Sequence, residues 1–407
     1  MAARDWVAAV EGPLEPISYH PLGDRPAFKL ALTVRDGRHF LYVSHLWHSG
    51  WSILDVTDPA SPEHIAFIAG PPDTWTLQVT LRGDLMATSL EPVPPDWGGN
   101  PRASFSEGVL LWDISDPSKP RQLSHFKTGH RGTHRNGFDH RGILHLSARV
   151  KGQEGLILML VDVSEPAAPR EIGRFSMGEQ APGKRHPGDL PFGIHGPSLR
   201  VADIAYLPYG DLGLVIVDVA RPERPALLGP LSVHPPLGTR IAAHSAVPLP
   251  SRNLLVLNSE ALEEDCDEPV GYAGVVDVAN PAAPRLMSLF PTPRPPRGVP
   301  YDSFCQRGGR FGPHNQSISL GNPHLFQDET LCFLTYFNAG LRVFDLRNPH
   351  HVSEVAYMIP KDPPSRLGPK PRTLVTQVED VLVDARGVVY FTEKNSGLYL
   401  ARWQGRP

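Results

Sequence analysis

Four histidines stand at one corresponding point of a pattern that repeats along this 407-residue chain. His134, His195, His244 and His314 each begin a strand-like run, so neighbouring repeats bring their imidazoles together. Imidazole is a common ligand of transition metals, whereas Ca and Mg prefer oxygen ligands. The set predicts a divalent transition metal. There are two alternatives: the imidazoles line a water-filled polar channel, or only three of them are ligands.

Other polar residues are predicted to lie around this ion. Lys29, Gln78 and Gln377 are aligned with the histidines in the three repeats that lack one. We predict catalytic roles for Lys29, Gln377 and Glu379. A carboxylate near a metal-bound histidine orients the ring or acts as a general base. The carboxylates near strand ends on this face are Glu91, Glu260, Glu379 and Glu393.

Long loops on the same face supply candidate substrate contacts, because function is often carried by loops on a rigid scaffold. An arginine-rich and aromatic surface above a metal suits a small anionic or aromatic substrate. For each residue alone, an ordinary solvated loop is the alternative. The predicted substrate and lid residues are Gln78, Arg135, Arg310, Tyr301 and Trp97.

The elements that position these residues follow from the repeat. Six segments share an apolar run that ends in aspartate, a polar turn with proline, and a second apolar run. Aspartate at a strand end bonds the backbone N–H two residues on, and proline presets the next φ, so these residues are predicted to be structural. Successive aspartates are 49 to 68 residues apart, which suits a propeller blade of four strands: Asp55, Asp113, Asp162, Asp218, Asp277 and Asp345.

The pattern therefore predicts an all-β fold, a single seven-bladed β-propeller spanning residues 1–407. The C-terminal repeat ends before its outermost strand, and residues 14–23 are predicted to supply that strand and close the ring. The first strand of each blade lines the central channel, which places the histidines at its mouth. The predicted blades are 24–70, 71–128, 129–178, 179–233, 234–291, 292–360 and 361–407.

Two resemblances support this interpretation. The segment "LGLVIVDVARPERP" (212–225) resembles the LVIVD-repeat family of β-propellers, and six copies extend the resemblance over nearly the whole chain. This resemblance implies the fold rather than a function. The segments "HSGWSILD" (48–55) and "THRNGFDHRGILHLS" (133–147) are similar, more faintly, to selenium-binding protein and methanethiol oxidase propellers, which use copper. That similarity implies oxidoreduction.

Composition excludes several other classes. The formal net charge is -4 and the pI about 6.5, so no basic surface indicates nucleic acid. No signal peptide or membrane span is recognisable, and we predict a cytoplasmic protein with no membrane partner. Its oligomeric state is left open. The three cysteines form no CxxC pair, so neither a zinc knuckle nor a disulfide framework is predicted.

Three functions are compatible with the sequence. The first is a metal-dependent oxidoreductase or oxygenase acting on a small organic substrate. Fe or Cu is preferred, because four neutral ligands exceed the three usual in zinc hydrolysis. The second is a Mn- or Zn-dependent lyase or hydrolase, since some sugar-acid lyases are similar propellers that hold Mn with His and Gln. The third is a scaffold that presents its rim to another protein.

Overall fold

The chain forms seven antiparallel sheets arranged as the blades of a β-propeller, which confirms the predicted fold. The computed structural model describes residues 5–184, 193–233, 237 and 239–405. The apolar core lies in layers between adjacent blades rather than in one central mass. In one such layer Leu41 and Val43 of the first blade pack with Tyr390 and Leu400 of the last.

Four blades, the first, third, fourth and fifth, have four strands in simple up-and-down order. In blade 1 the strands are Ala27–Arg35, Arg38–His45, Gly50–Asp55 and Glu63–Ala69. In blade 3 they are Thr133–Phe138, Ile143–Ala148, Ile157–Asp162 and Arg170–Phe175. In blade 4 they are Leu199–Val201, Ile204–Pro208, Leu214–Asp218 and Ala226–Leu231. In blade 5 they are Ile241–Leu249, Leu254–Glu260, Ala273–Asp277 and Arg285–Leu289.

The other three blades depart from this plan. In blade 2 the innermost strand is split, and both parts pair with the same neighbour. Its strands are Thr74–Trp75, Val79–Arg82, Leu85–Pro92, Gly108–Asp113 and Arg121–Phe126. Blade 6 contains Leu331–Thr335, Leu341–Asp345, Ser353–Pro360 and Val7–Glu11. Blade 7 contains Val378–Val383, Val388–Glu393, Leu398–Trp403 and Leu14–His20.

The N-terminal segment closes the ring as predicted. Leu14–His20 pairs antiparallel with Leu398–Trp403 and becomes the outermost strand of blade 7. The sequence analysis did not predict that Val7–Glu11 pairs with Ser353–Pro360 and completes blade 6 as well. Two neighbouring blades therefore take their outer strands from one N-terminal segment, which covers edges that would otherwise be open.

The predicted inner strand of blade 6 is not a regular strand. Only an isolated bridge joins Gln316 to Leu334. The segment still bonds to the next strand, because His314 N donates to Thr335 O at 2.9 Å and Ser317 N donates to Phe333 O at 3.0 Å. His314 is consequently held in the channel wall without a full ladder.

The repeated aspartates have the structural role predicted for them. Each Oδ1 accepts a hydrogen bond from the backbone N–H two residues on, at 2.8–3.0 Å. The turns also join adjacent blades. Ser124 Oγ donates to Pro166 O of the next blade at 2.6 Å, and Gly173 comes so close to Pro222 O that an added Cβ would lie 1.9 Å from it. Glycine is required there by close approach.

Helical structure is confined to short turns among the described residues. These are the α-helical turn Phe304–Arg307 and the 3₁₀ turns Pro95–Trp97, Gly178–Gln180 and Pro250–Arg252. In the described part of the chain, no helix is long and apolar enough to cross a bilayer.

The structure contains a disulfide that the cysteine spacing did not predict. Cys266 and Cys305 are bonded across 39 residues of sequence, with Cα atoms 5.4 Å apart. The pairing was missed because it depends on two loops that meet only in the folded ring. The bond ties the loop after Glu260 to the turn before Arg310. Disulfides are rare in reducing compartments, and the cytoplasmic localisation stays a prediction.

Candidate functional site at the mouth of the channel

A recurring hydrogen bond shows which residues of the inner strands correspond. In five blades a backbone N–H on the inner segment donates to a Ser or Thr hydroxyl on the second strand, at 2.7–3.1 Å. In blade 5, Ser245 and Asn258 are cross-strand partners in the same register as Arg135 and Ser147 in blade 3. The residues at this position, which we call the lower layer, are Lys29, Gln78, Arg135, Ser245, Asn315 and Asp380.

The residue immediately before each member of the lower layer defines the upper layer. It comprises Phe28, Leu77, His134, His244, His314 and Glu379, with His195 in blade 4. Four blades in a row therefore carry histidine at one position. The alignment of Lys29, Gln78 and Gln377 with these histidines is wrong by one or two residues. A slip of one residue redirects a side chain, and bulges at the starts of these strands conceal the true register.

The four imidazoles form a continuous arc. Ring centroids are 4.6 Å apart between His134 and His195, 5.1 Å between His195 and His244, and 4.7 Å between His244 and His314. His195 is the most accessible of the four, with a side chain 24% exposed, whereas His244 and His314 are buried. Access from solvent is therefore on the side of His195.

In three of the histidines the Nδ1 atom contacts the oxygen of a neighbouring carboxylate or hydroxyl group. His134 Nδ1 lies 2.5 Å from Glu91 Oε1, and His314 Nδ1 lies 3.1 Å from Glu379 Oε2. His244 Nδ1 contacts Ser245 Oγ at 2.8 Å. Ser245 donates its own proton to His314 O at 3.3 Å, so His244 is the donor in this contact. An imidazole that donates through Nδ1 has a lone pair free on Nε2, which is the form that binds a metal.

Glu260 lies among the Nε2 atoms of the arc. Its Oε2 is 3.0 Å from His195 Nε2 and 3.4 Å from His244 Nε2. Its Oε1 is 3.6 Å from His314 Nε2 and contacts the guanidinium of Arg310. The ligand atoms of His195, His244 and Glu260 all lie within 4.8 Å of one another. The sequence analysis placed Glu260 on this face but not among the ligands.

Burial and charge set the protonation of the site. Burial lowers the pKa of His134 and His244 well below the usual range, which keeps these rings neutral. Burial alone would raise the pKa of Glu260, but the Arg310 guanidinium and the neighbouring histidines together outweigh it and hold that pKa well below its usual range. The centre consequently combines neutral imidazoles with an ionised carboxylate.

Three buried atoms at this centre, His134 Nε2, His244 Nε2 and Glu260 Oε2, make no hydrogen bond of good geometry with a described residue, although Glu260 Oε2 lies 3.0 Å from His195 Nε2. An unsatisfied buried polar atom costs about 1–3 kcal/mol, and native proteins contain few of them. Here three lie in one arc, and each is a lone-pair donor of the kind that ligates transition metals. The residues present therefore fit a bound cation.

The lower layer closes the channel beneath the arc. Lys29 Nζ contacts Asp380 Oδ1 at 2.7 Å and Asn315 Oδ1 at 3.1 Å. Burial lowers the pKa of Lys29, although Asp380 opposes this. Arg135 lies with its Cζ 5.3 Å from the Phe28 ring centroid, and its buried Nε has no partner in the described structure. Arg135 Nη1 donates to His134 O at 3.2 Å, so the floor of the site is polar and contains a guanidinium that has no ion pair among the described residues.

The remaining predicted residues divide into two groups. Arg310 Cζ lies 5.9 Å from the Trp97 ring centroid, and Gln377 Oε1 accepts from Arg310 N at 3.0 Å, so these three meet at the rim of the site. Tyr301 instead packs on Phe304, with centroids 5.9 Å apart, outside the arc. Gln78 bonds Val79 O at 3.1 Å in the lower layer, where no contact with a histidine is seen within the described chain.

The fold and the repeats define the class of protein. A family model for the LVIVD repeat matches residues 154–176, 203–232 and 271–292, which lie in blades 3, 4 and 5. The chain is therefore a β-propeller with LVIVD repeats in these three blades.

Solved structures agree with this class. The chain is similar to the periplasmic gluconolactonase of Pseudomonas aeruginosa (14% identity, 98% of each chain, TM-score 0.54). It is also similar to a protein from Lactobacillus plantarum (13% identity, 93% of this chain and 99% of that one, TM-score 0.52) and to the WD40 propeller domain of Doa1 (8% identity, 98% of each chain, TM-score 0.52). These identities show the fold alone. No curated protein matches the chain.

Proposed function

We propose that the protein is a metal-dependent enzyme whose ion is held at the channel mouth by His195, His244 and Glu260. His134 and His314 complete the set of donors around it. The observation that carries this proposal is the convergence of histidine Nε2 atoms on Glu260 Oε2, with those of His134 and His244 buried and without hydrogen bonds of good geometry. A small-molecule substrate fits an accessible arc above a closed floor.

The donor set favours iron and an oxidoreductase. Four imidazoles and one carboxylate are more donors than a tetrahedral zinc ion uses. Two histidines and one carboxylate with open positions are typical of non-haem Fe(II) oxygenases. The bound ion would supply the redox chemistry. The carboxylate also makes copper less suitable than the four-histidine set alone would.

The chain's own residues have distinct parts in this proposal. Glu91 and Glu379 fix the rings of His134 and His314 through Nδ1. Arg310 keeps Glu260 ionised and occupies Oε1, which leaves Oε2 for the ion. Arg135, which has a hydrogen bond to His134 O but no ion pair in the described structure, would place a positive charge beneath the reacting group and would stabilise negative charge that develops there.

A second candidate is a Mn- or Zn-dependent hydrolase or lyase. The observation that favours it is the same His195, His244 and Glu260 group, because two histidines and a glutamate also bind catalytic zinc in hydrolases. In that case the ion lowers the pKa of a bound water. The identity of the metal that co-purifies separates the two candidates.

The test is metal analysis of freshly purified protein by inductively coupled plasma mass spectrometry. We expect about one equivalent of a transition metal in the natural protein, and its loss in His195→Ala and His244→Ala. His350→Ala is the matched control, because His350 is exposed on the turn after Asp345. Iron supports the oxidoreductase, and zinc or manganese supports the second candidate.

Failure of this test has a clear form. If the natural protein contains no metal and binds none on addition of Fe(II), Zn(II) or Mn(II), the enzyme proposal is wrong. The scaffold alternative then remains, in which the histidines are polar filling of the channel. The cytoplasmic localisation and the lack of nucleic-acid and membrane partners also stay predictions.

A further inference from the structure

A third set of equivalent residues surrounds the arc. In six blades a Ser, Thr or Asn on the second strand marks the lower layer, and the residues two positions after it also correspond to one another. They are Leu46, Glu91, Arg149, Glu260, Phe337 and Lys394. From this position Glu91 reaches His134, Glu260 reaches His195 and His244, and Lys394 Nζ reaches Glu379 Oε1 at 2.9 Å. The position therefore directs side chains at the site.

Arg149 is the exception among the charged members of this set. The other three contact the histidines or a glutamate that holds one. The guanidinium of Arg149 has no hydrogen bond or ion pair among the residues that the structure describes, and the residue is only partly buried. Its backbone N donates to Gly132 O at 2.9 Å, which fixes the strand end beside blade 2.

Arg131 lies next to this position. An added Cβ on Gly132 would lie 1.9 Å from Leu90 O, so the chain around Arg131 packs directly on the residue before Glu91. Arg131 is exposed, and its Cζ lies 5.9 Å from the Phe105 ring centroid without an ion pair in the described chain.

Electrostatic effects agree with this placement. Burial raises the pKa of Glu91 to about 7, while Arg149, Arg135 and Arg131 act to lower it. Burial lowers the pKa of Arg149, and the like charge of Arg131 adds to this. Glu91 opposes the lowering of the Arg149 pKa, but it is one carboxylate near two arginines that have no ion pair among the described residues, so the edge of the site carries a surplus of positive charge.

We propose that Arg149 and Arg131 bind the carboxylate of an organic substrate and hold its reacting end toward His134 and His195. This inference rests on the proposed function, because it names the substrate class of the same site. A guanidinium matches a planar carboxylate through two parallel hydrogen bonds. The neighbouring Glu91 makes the edge less favourable for a dianion such as phosphate.

The test is isothermal titration calorimetry on the metal-loaded protein with three probes: sodium benzoate, its neutral analogue benzamide, and inorganic phosphate. We expect benzoate to bind more tightly than the other two. Arg149→Met should weaken benzoate binding about tenfold, as expected for loss of a charge-assisted hydrogen bond, and Arg131→Met should weaken it less. Arg170→Met is the control, because Arg170 pairs with Asp162 on the outer rim.

Several results would overturn the inference: no benzoate binding, equal binding of benzoate and benzamide, tighter binding of phosphate, or an unchanged affinity in Arg149→Met. Metal content is measured on the same samples. A normal metal content with no benzoate binding contradicts this inference alone, whereas a protein that takes up no metal contradicts the proposed function.

Discussion

The outer turns and the inner arc of this propeller both carry buried or half-buried carboxylates at repeated positions. They differ in how completely the oxygen atoms of those carboxylates are hydrogen-bonded. On the outer rim each repeated aspartate accepts the N–H two residues on, and Asp162 also pairs with Arg170 at 2.9 Å. At the inner arc, two histidine Nε2 atoms are buried without hydrogen-bond partners in the described structure, and Glu260 Oε2 has only the Nε2 atoms of His195 and His244 near it.

This difference separates structure from function. A polar group that already forms its hydrogen bonds within its own turn stabilises the fold and has no free atom to offer a ligand. Unsatisfied buried polar groups cost stability, and a cluster of them indicates a ligand, ion or water that completes it. The same repeat therefore builds the blades with one end of its strands and the histidine arc with the other.

The largest effect on stability is expected from Glu379→Gln. Burial opposes ionisation of Glu379, but Lys394 and the contact with His314 lower its pKa from 4.5 to about 2. An acid with a lowered folded-state pKa stabilises above its unfolded pKa, and this stability is lost as the pH falls toward the folded value. Urea unfolding of metal-free protein should show a loss of about 3 kcal/mol at pH 7 and a smaller loss at pH 3.

A double variant checks the origin of that loss. Lys394 is fully buried, so Glu379→Gln leaves its ammonium group without a counter-charge. Adding Lys394→Met should restore part of the stability. Equal losses at the two pH values, or no recovery in the double variant, would show that the ion pair does not govern the effect.

A smaller effect is expected from Glu91→Gln, which weakens the hold on the His134 ring. Loss of such a carboxylate partner should reduce metal affinity about 10- to 100-fold, measured by competition with a chelator. Glu107→Gln is a matched control, because Glu107 binds the backbone N–H groups of Thr128 and Gly129 instead of a histidine. If both variants bind metal alike, Glu91 does not position a ligand.

The smallest effects are expected on the outer rim. Asp162→Ala and Asp218→Ala each remove a hydrogen bond to the turn, worth about 1 kcal/mol in thermal or urea unfolding. The additional exposed pair of Asp162 with Arg170 should add little. Neither variant should change metal content. A loss of metal in either one would abolish the distinction between rim and arc.

Much of the fold was predictable because the aspartate–proline turns repeat with local hydrogen bonds of their own. The closing strand Leu14–His20 followed from the missing edge of the last repeat. Val7–Glu11 could not be predicted in the same way, because the sixth repeat already contains Ser353–Pro360 as its outer strand and leaves no missing edge in the sequence pattern.

The candidate site was predictable only in part, because strand register decides which side chains face the channel. The histidines were found because all four fall at one repeat position. Lys29 and Gln377 were misaligned with them because bulges at the strand starts leave no mark in the sequence. Glu260 was missed as a candidate ligand because its place depends on where the second strand ends, although Glu91 at the equivalent position was a signal.

The most direct test of a metal centre is a crystal structure with anomalous diffraction measured at the absorption edge of the metal that co-purifies. The account predicts a single strong peak in the arc, about 2 Å from His195 Nε2, His244 Nε2 and Glu260 Oε2. Ordered water alone between these atoms in protein supplied with metal, or a peak only on the outer rim, would contradict it.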